Sequence, residues 1–480
     1  MRLLTFILIL SLTLLPARAQ ESGEPRPLNV TPVAAPSPSL KYRLLPATTE
    51  LVPGNAAALY YRTFSFLSEA HPAFKDALQG NPKKDDKGEE YSQTDRWLTM
   101  PLKDMPQKQV EDFVAIFNRY LQEMTLATHR QNCDWDVHGR TDGLLMLMPE
   151  VQSFRSLANI VALKARLQIA QGHYDQAIQT LQINFKLAEH LSRGPTVIHT
   201  LVGMAIARMS LVQIETMIQT NQGPNLYWAL STLPSPFADL KEAVEFEPNS
   251  VFRMIPSLLK MEDGPASAEL MATLKEDKLN FRRNFLITKG FPEPVMIGGA
   301  LPDAKARLQA TGFKQEVLDK MPSQQIVIVD AMRRHRSAQA ELSKWLHLPY
   351  AQAAPHAEKE LKAYQESCAM LDLHLFDSVL EKLRYYDGFA KAWRAGAILD
   401  RQIAALRTIE AIRMQAAKDQ GKLPRQLSDV KVVPVPIDPM MEIPFQYRLA
   451  GDTITLHAPA PLGGTEKHLT LTYVLKFEGK

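Results

Sequence analysis

The chain has 480 residues, 45% of them hydrophobic and 22% charged, with 55 Lys and Arg against 52 Asp and Glu and a formal charge of +3. That length can bury one large core or two closely packed ones. A balance so near neutrality argues against a dedicated nucleic-acid binder, which needs an extended basic face to displace counterions from phosphates.

Residues 1–19 read as an export signal: Arg2 gives a positive start, Leu3 to Leu15 is largely apolar, and Ala17-Arg18-Ala19 offers small residues at the cleavage positions. Cleavage after Ala19 removes Arg2 and Arg18, and no Cys follows to accept lipid. The expected location is periplasmic or extracellular, with no membrane span after signal cleavage, because the apolar run is short for a bilayer. Residues 20–40 are rich in Pro and Ser and predict a flexible linker.

From 41 to 425 the pattern is helical. Val110, Phe113, Val114, Phe117, Leu121 and Met124 fall on one face at the three-and-four spacing, as do Tyr174, Ala177, Ile178, Leu181, Phe185 and Ala188. The run 196–219, "TVIHTLVGMAIARMSLVQIETMIQ", is apolar on most sides and predicts a buried central helix, interrupted by His199 and Arg208. Further helices are expected at 266–283, 303–320, 324–347, 356–386 and 387–419, separated by "GFPEP" (290–294) and "LPYAQAAP" (348–355). Gly421 and Pro424 stop the last one. Residues 426–480 then change period: "FQYRL" (445–449), "TITLH" (453–457) and "HLTLTYVLKF" (468–477) predict a small antiparallel β-module packed on the helical body.

The stretch "GHYDQAI" (172–178), with Ala165 before it and Leu181 after it, resembles one tetratricopeptide hairpin. Gly172 would end the first helix in a left-handed conformation and Tyr174 would pack near Val161 and Ala165. Gln168, Asn184 and Glu189 depart from that family's pattern, and positions thirty-four residues either side do not repeat it. A single such hairpin inside an irregular array is therefore expected.

From about residue 40 to the C-terminus the chain resembles a family of exported planctomycete proteins with no established activity, through "MPEVQSFRSLANIVALKARLQIAQG", "PNLYWALSTLPSPFADL" (224–240), "KWLHLPYAQA" (344–353) and "PVPIDPMMEIPFQYRLAGDTITLHAPAP". That resemblance implies export and fold, and transfers no catalytic residue. "GKLPRQLSDV" followed by "PIDPMMEIPFQY" is similar to the tail of pseudopilin-type domains, which implies a small terminal sheet.

Chemistry is sparse. Cys133, Asp134, Asp136, His138 and Asp142 could in principle hold a metal, but their spacing matches no standard site, and Trp135 among them reads as a core plug. Neither Cys133 nor Cys368 belongs to a C-x-x-C pair; in an oxidising compartment they could bridge, or they could remain separate thiols in helices. Glu245 and Glu247 are acids of the type a glycosidase needs, yet five scattered Trp supply few sugar-stacking surfaces. His190 and His199 flank Gly194-Pro195 and read as hydrogen-bonded rather than ligating. The clusters Arg333-Arg334-His335-Arg336 and Lys83-Lys84 read as solvated surface; Tyr227-Trp228 and Lys344-Trp345 read as core rather than interface anchors. No phosphate loop, dinucleotide fingerprint, H-E-x-x-H or G-x-S-x-G motif is present.

The expectation is a mainly α protein, an irregular array of helical hairpins, partly tetratricopeptide-like, with a small C-terminal antiparallel β-sheet. No catalytic, cofactor-binding or metal-binding residue is assigned. A non-catalytic envelope scaffold that binds another envelope protein or peptide is preferred over a secreted helical-toroid hydrolase acting on glycans.

Overall fold

The computed structural model describes residues 23–65, 83–84, 90–135, 149–284, 293–376, 387–461 and 469–478. It is mainly α, with a small sheet at the C-terminal end. In chain order the elements are β1 (Arg26–Val30), β2 (Val52–Asn55), α1 (Ala56–Ser65), β3 (Lys83–Lys84), β4 (Glu90–Tyr91), α2 (Gln93–Thr99), α3 (Gln107–Ala115), α4 (Asn118–Thr128) and β5 (Arg130–Asn132). The hairpin α5 (Pro149–Ala170) and α6 (Tyr174–Ser192) follows, then α7 (Val197–Ile218), α8 (Tyr227–Ser231), α9 (Lys241–Met254), α10 (Ala268–Asn284), α11 (Glu293–Ala310) and α12 (Gln315–Leu318). The chain closes with α13 (Ser323–Ser343), α14 (Tyr350–Phe376), α15 (Asp387–Lys418), β6 (Gln446–Ala450), β7 (Thr453–Ala458) and β8 (Leu471–Phe477).

The turn of the α5–α6 hairpin is fixed by Gly172 at φ +75°. The His173 N–H reaches back to the Gln168 carbonyl (2.8 Å) and the Gly172 N–H to Ile169 (3.0 Å), the paired bonds that close a helix through a left-handed residue. The half-buried Tyr174 packs against the main core one residue into α6. Helix α7 begins where the Thr196 hydroxyl accepts the His199 N–H. It crosses α6 at Gly203, where a Cβ would stand 2.7 Å from the Ala188 carbonyl oxygen and 2.5 Å from the Ser192 hydroxyl. Among the described residues α7 alone is long and apolar enough to cross a membrane, but 72% of its apolar window is buried inside the protein, so it serves as the central core helix.

The largest hydrophobic core joins α5, α6, α7, α8 and α15 to the sheet without a break: Leu163, Phe185, Ile214 and Leu406 belong to the same cluster as Ile454, Leu456, Tyr473 and Leu475. Each such side chain stabilises by roughly 1.5–3 kcal/mol on full burial. A second core lies among α9 to α13, and a third joins the start of α7 to α9, α13, α14 and the start of α15.

Two expectations are corrected at the sheet. Residues 20–40 are not all linker, because Arg26–Val30 is a strand with Leu28 and Val30 buried. The sheet, in order β1-β8-β7-β6, is also not purely antiparallel. β6, β7 and β8 are antiparallel, but β1 runs parallel to β8, with Leu28 opposite Leu475 and Val30 opposite Phe477. A parallel partner needs no hairpin turn beside it and can come from the far end of the chain.

Helix bounds also move. The single stripe at 110–124 becomes α3 and α4, because Phe117 leaves helical geometry at φ −97°, ψ 7°. The helix expected at 303–320 runs instead from Glu293 to Ala310 with Pro302 inside it, and Gly312 at φ +99° separates it from α12. Only the first two residues of "LPYAQAAP" separate helices: α14 starts at Tyr350 and carries Pro355 in its second turn.

Candidate functional site

Five prolines between Arg26 and Ala47, at 27, 32, 36, 38 and 46, deny this segment the donors a helix needs. Beyond β1 it has neither helix nor strand from Thr31 to Ala47, with one turn closed by the Lys41 N–H on the Pro38 carbonyl (2.9 Å), and lies as a strap across α15 and α6. The fully buried guanidinium of Arg413 donates through Nε to the Thr31 carbonyl (3.0 Å), and the Val33 N–H donates to the Arg413 carbonyl (3.2 Å). Farther along, Gln182 donates through Nε2 to the Arg43 carbonyl at 2.8 Å. Two turns earlier on the same face of α6, Asp175 accepts from the Tyr42 hydroxyl (2.8 Å) and pairs with the Lys41 ammonium (3.0 Å). Leu44 is fully buried in the main core.

These contacts differ in weight. Lys41 and Asp175 are both exposed, so their pairing contributes little. The Tyr42 and Lys41 hydrogen bonds hold the Asp175 carboxyl below its usual range. Leu44 and the bonds to main-chain carbonyls carry the attachment, at roughly 0.5–1.5 kcal/mol net per hydrogen bond. The face is therefore a surface that holds extended polypeptide by its backbone and one apolar anchor.

Most of the other polar residues in the interior hold the fold together. Arg401 and Asp438, each 1% exposed, form a two-pronged pair at 2.9 and 2.7 Å, and Arg401 also donates to the Leu469 carbonyl (2.6 Å). Arg413 pairs with Glu410 through both carboxylate oxygens (3.0 and 2.9 Å) and donates to the Gly223 carbonyl. Glu215 on α7 accepts from Arg26 of β1 (3.2 Å), Gln402 of α15 (3.1 Å) and the Tyr473 hydroxyl of β8, tying four elements at one carboxylate. Burial raises the Asp400 carboxyl to about 7, while its Oδ1 accepts the Phe237 N–H at 2.9 Å.

Trp135 is the core plug expected from the sequence. It is 2% exposed, stacks on Tyr60 at 5.5 Å and donates its indole N–H to the His190 carbonyl (3.0 Å). Of the metal candidates beside it, Asp136, His138 and Asp142 lie outside the described residues; Asp134 is exposed, and burial pushes the Cys133 thiol up, away from the reactive thiolate. His190 bonds the Tyr60 hydroxyl through Nδ1 (3.0 Å) and His199 bonds Thr196 (2.7 Å); burial pushes the two imidazoles down to about 3 and about 4, keeping both neutral.

The two cysteines are free and lie in different cores: Cys133 packs on the main one, and Cys368 sits in the third, with Sγ 3.5 Å from His335 Nδ1. Glu245 is exposed on α9, and the side chain of Glu247 lies outside the described residues. Within the basic cluster, Arg333 and Arg336 both pair with Glu262, whereas His335 is buried, contrary to a wholly solvated reading. Tyr227 is buried as a core residue, while Trp228 and Trp345 are half-buried. Among the described residues no three His, Cys, Asp or Glu side chains converge as a metal site.

Sequence reasoning missed Asp175, Gln182 and Arg413, since each is an ordinary polar residue at its own position. Gln182 is 139 residues from the Arg43 carbonyl it bonds, and Arg413 is 382 from Thr31. A scan against protein-family models found no match, and searches of curated proteins and of solved structures returned no relative. The strap-bearing face of α6 and α15, which grips main chain, is thus the site that the chain's own geometry singles out.

Proposed function

We propose that the protein is a non-catalytic scaffold of the exported compartment that holds an extended stretch of polypeptide against α6 and the end of α15. The observation that carries this reading is that Gln182 and Arg413 donate side-chain hydrogen bonds to main-chain carbonyls of an extended segment, a mode of recognition that tolerates many sequences. The near-neutral charge favours a protein partner over nucleic acid. The apolar leader at residues 1–19 supports a periplasmic or extracellular location, as does the resemblance to exported planctomycete proteins. The tetratricopeptide-like turn at Gly172 is consistent with the same role.

Selection of random peptides displayed on phage against the folded protein tests the reading. Enriched peptides should be extended, should bind saturably as synthetic fluorescent peptides, and should lose affinity in Gln182→Ala. Release of reducing sugars from envelope glycans by the purified protein, without peptide enrichment, would replace the scaffold with a glycan hydrolase.

A further inference from the structure

The strap is held as a ligand is held. Its two ends are integrated, β1 into the sheet and β2 beside β5, but from Thr31 to Ala47 it has no regular structure, and its middle, Ser37 to Lys41, is exposed. What fixes it is the set a bound peptide would use: main-chain bonds to Arg413 and Gln182, a tyrosine hydroxyl and an ammonium on Asp175, and one leucine in the core.

We propose that residues 31–47 are a built-in occupant of the polypeptide-binding face, displaceable by a segment of another protein that presents a basic residue, an aromatic residue and a leucine as Lys41, Tyr42 and Leu44 do. This rests on the reading of the protein as a polypeptide-binding scaffold and adds its regulation and the chemistry of its partner. Attachment at both ends gives the strap a high effective concentration, so the closed form outcompetes a free peptide of equal intrinsic affinity. A partner succeeds by exceeding that concentration, through avidity or a better anchor than Leu44, and opening follows because it binds only the form from which the strap has lifted.

The probe is a fluorescein-labelled synthetic peptide with the sequence of residues 31–47, titrated into the full chain. The double variant Tyr42→Ala/Leu44→Ala, whose strap has lost its anchor, should bind the peptide at least tenfold more tightly than the unaltered chain, and adding Gln182→Ala should remove the gain. Equal affinity in the two chains, or a gain indifferent to Gln182→Ala, would overturn the proposal. Should the double variant fail to fold, amide hydrogen exchange of the unaltered chain decides: the Val33 amide must exchange through a local opening, faster than those of Phe185 and Leu187 in α6. Val33 protection equal to theirs means that the strap leaves only on global unfolding and defeats the proposal. Display-selected peptides that lose affinity in Gln182→Ala although Val33 stays protected would leave the scaffold reading standing without the strap as its displaceable occupant; loss of all peptide binding would end both.

Discussion

Removing Asp438 should be among the most damaging single changes in the protein. The Arg401 guanidinium is 1% exposed and has two of its donors on the Asp438 carboxylate, while Asp438 Oδ1 also accepts the Met440 N–H at 2.9 Å. Asp438→Ala strands a cation where water cannot reach it, which costs about 3–5 kcal/mol. A domain is commonly stable by only about 5–15 kcal/mol, so the loss is a large share of the total. Arg401→Met also frees the Leu469 carbonyl, a buried acceptor, and should cost a similar amount. The double variant should lose less than the two singles together, by about 1–3 kcal/mol, because neither charge is then left alone. Urea titration followed by far-ultraviolet circular dichroism measures all four chains. Because the pair is buried, 1 M salt should leave the differences nearly intact. An Asp438→Ala midpoint equal to the parent's, or strictly additive losses, would refute the idea that this pair clamps the C-terminal turn to α15.

Acid should unfold the protein early. His190, His199 and His335 are pushed down to about 3, 4 and 4 by burial, so between roughly pH 6.5 and 4 the unfolded chain binds protons that the fold refuses; their contribution is present above about pH 6.5 and lost as pH falls. Asp400, raised to about 7, works in the opposite direction, and the net loss between pH 7 and 5 is about 3 kcal/mol, readable from urea midpoints at the two pH values. Gly172→Ala meets no atom within 4 Å, so only its left-handed backbone is strained, and a loss of about 1 kcal/mol in the same titration is expected; a larger loss would mean hidden packing at the turn. Tyr174→Ala, at a half-buried ring, should cost about 1–2 kcal/mol, below the roughly 3 kcal/mol of a fully buried one. Gly203→Ala forces α7 away from the Ala188 carbonyl and should lower stability by about 1–3 kcal/mol, with a thermal midpoint equal to the parent's counting against the close crossing. Leu28→Asp places a charge at a site 4% exposed and should cost more than about 3 kcal/mol if β1 belongs to the core.

What the sequence revealed was whatever a short window contains. Gly172 ends α5 through bonds to residues three and five positions back, Thr196 caps α7 through a residue three ahead, and the alternation at Tyr473, Leu475 and Phe477 is a property of one strand. Trp135 was legible as a plug because a large aromatic amid polar residues must be buried somewhere. The strap and β1 were not legible, for the opposite reason. Prolines and serines in residues 20–40 do signal the absence of a helix, but an extended segment is either free or gripped, and the grip here comes from Gln182, Glu215 and Arg413, on helices far along the chain. Arg26 meets the Tyr473 hydroxyl across 447 residues, and no local pattern encodes that pairing. The candidate site shares the limitation, since main-chain recognition asks only for donors at the right places and leaves no motif. Gln182 and Arg413 become interpretable once α6 and α15 lie beside the same extended segment, and there their donors meet backbone carbonyls that would otherwise need water.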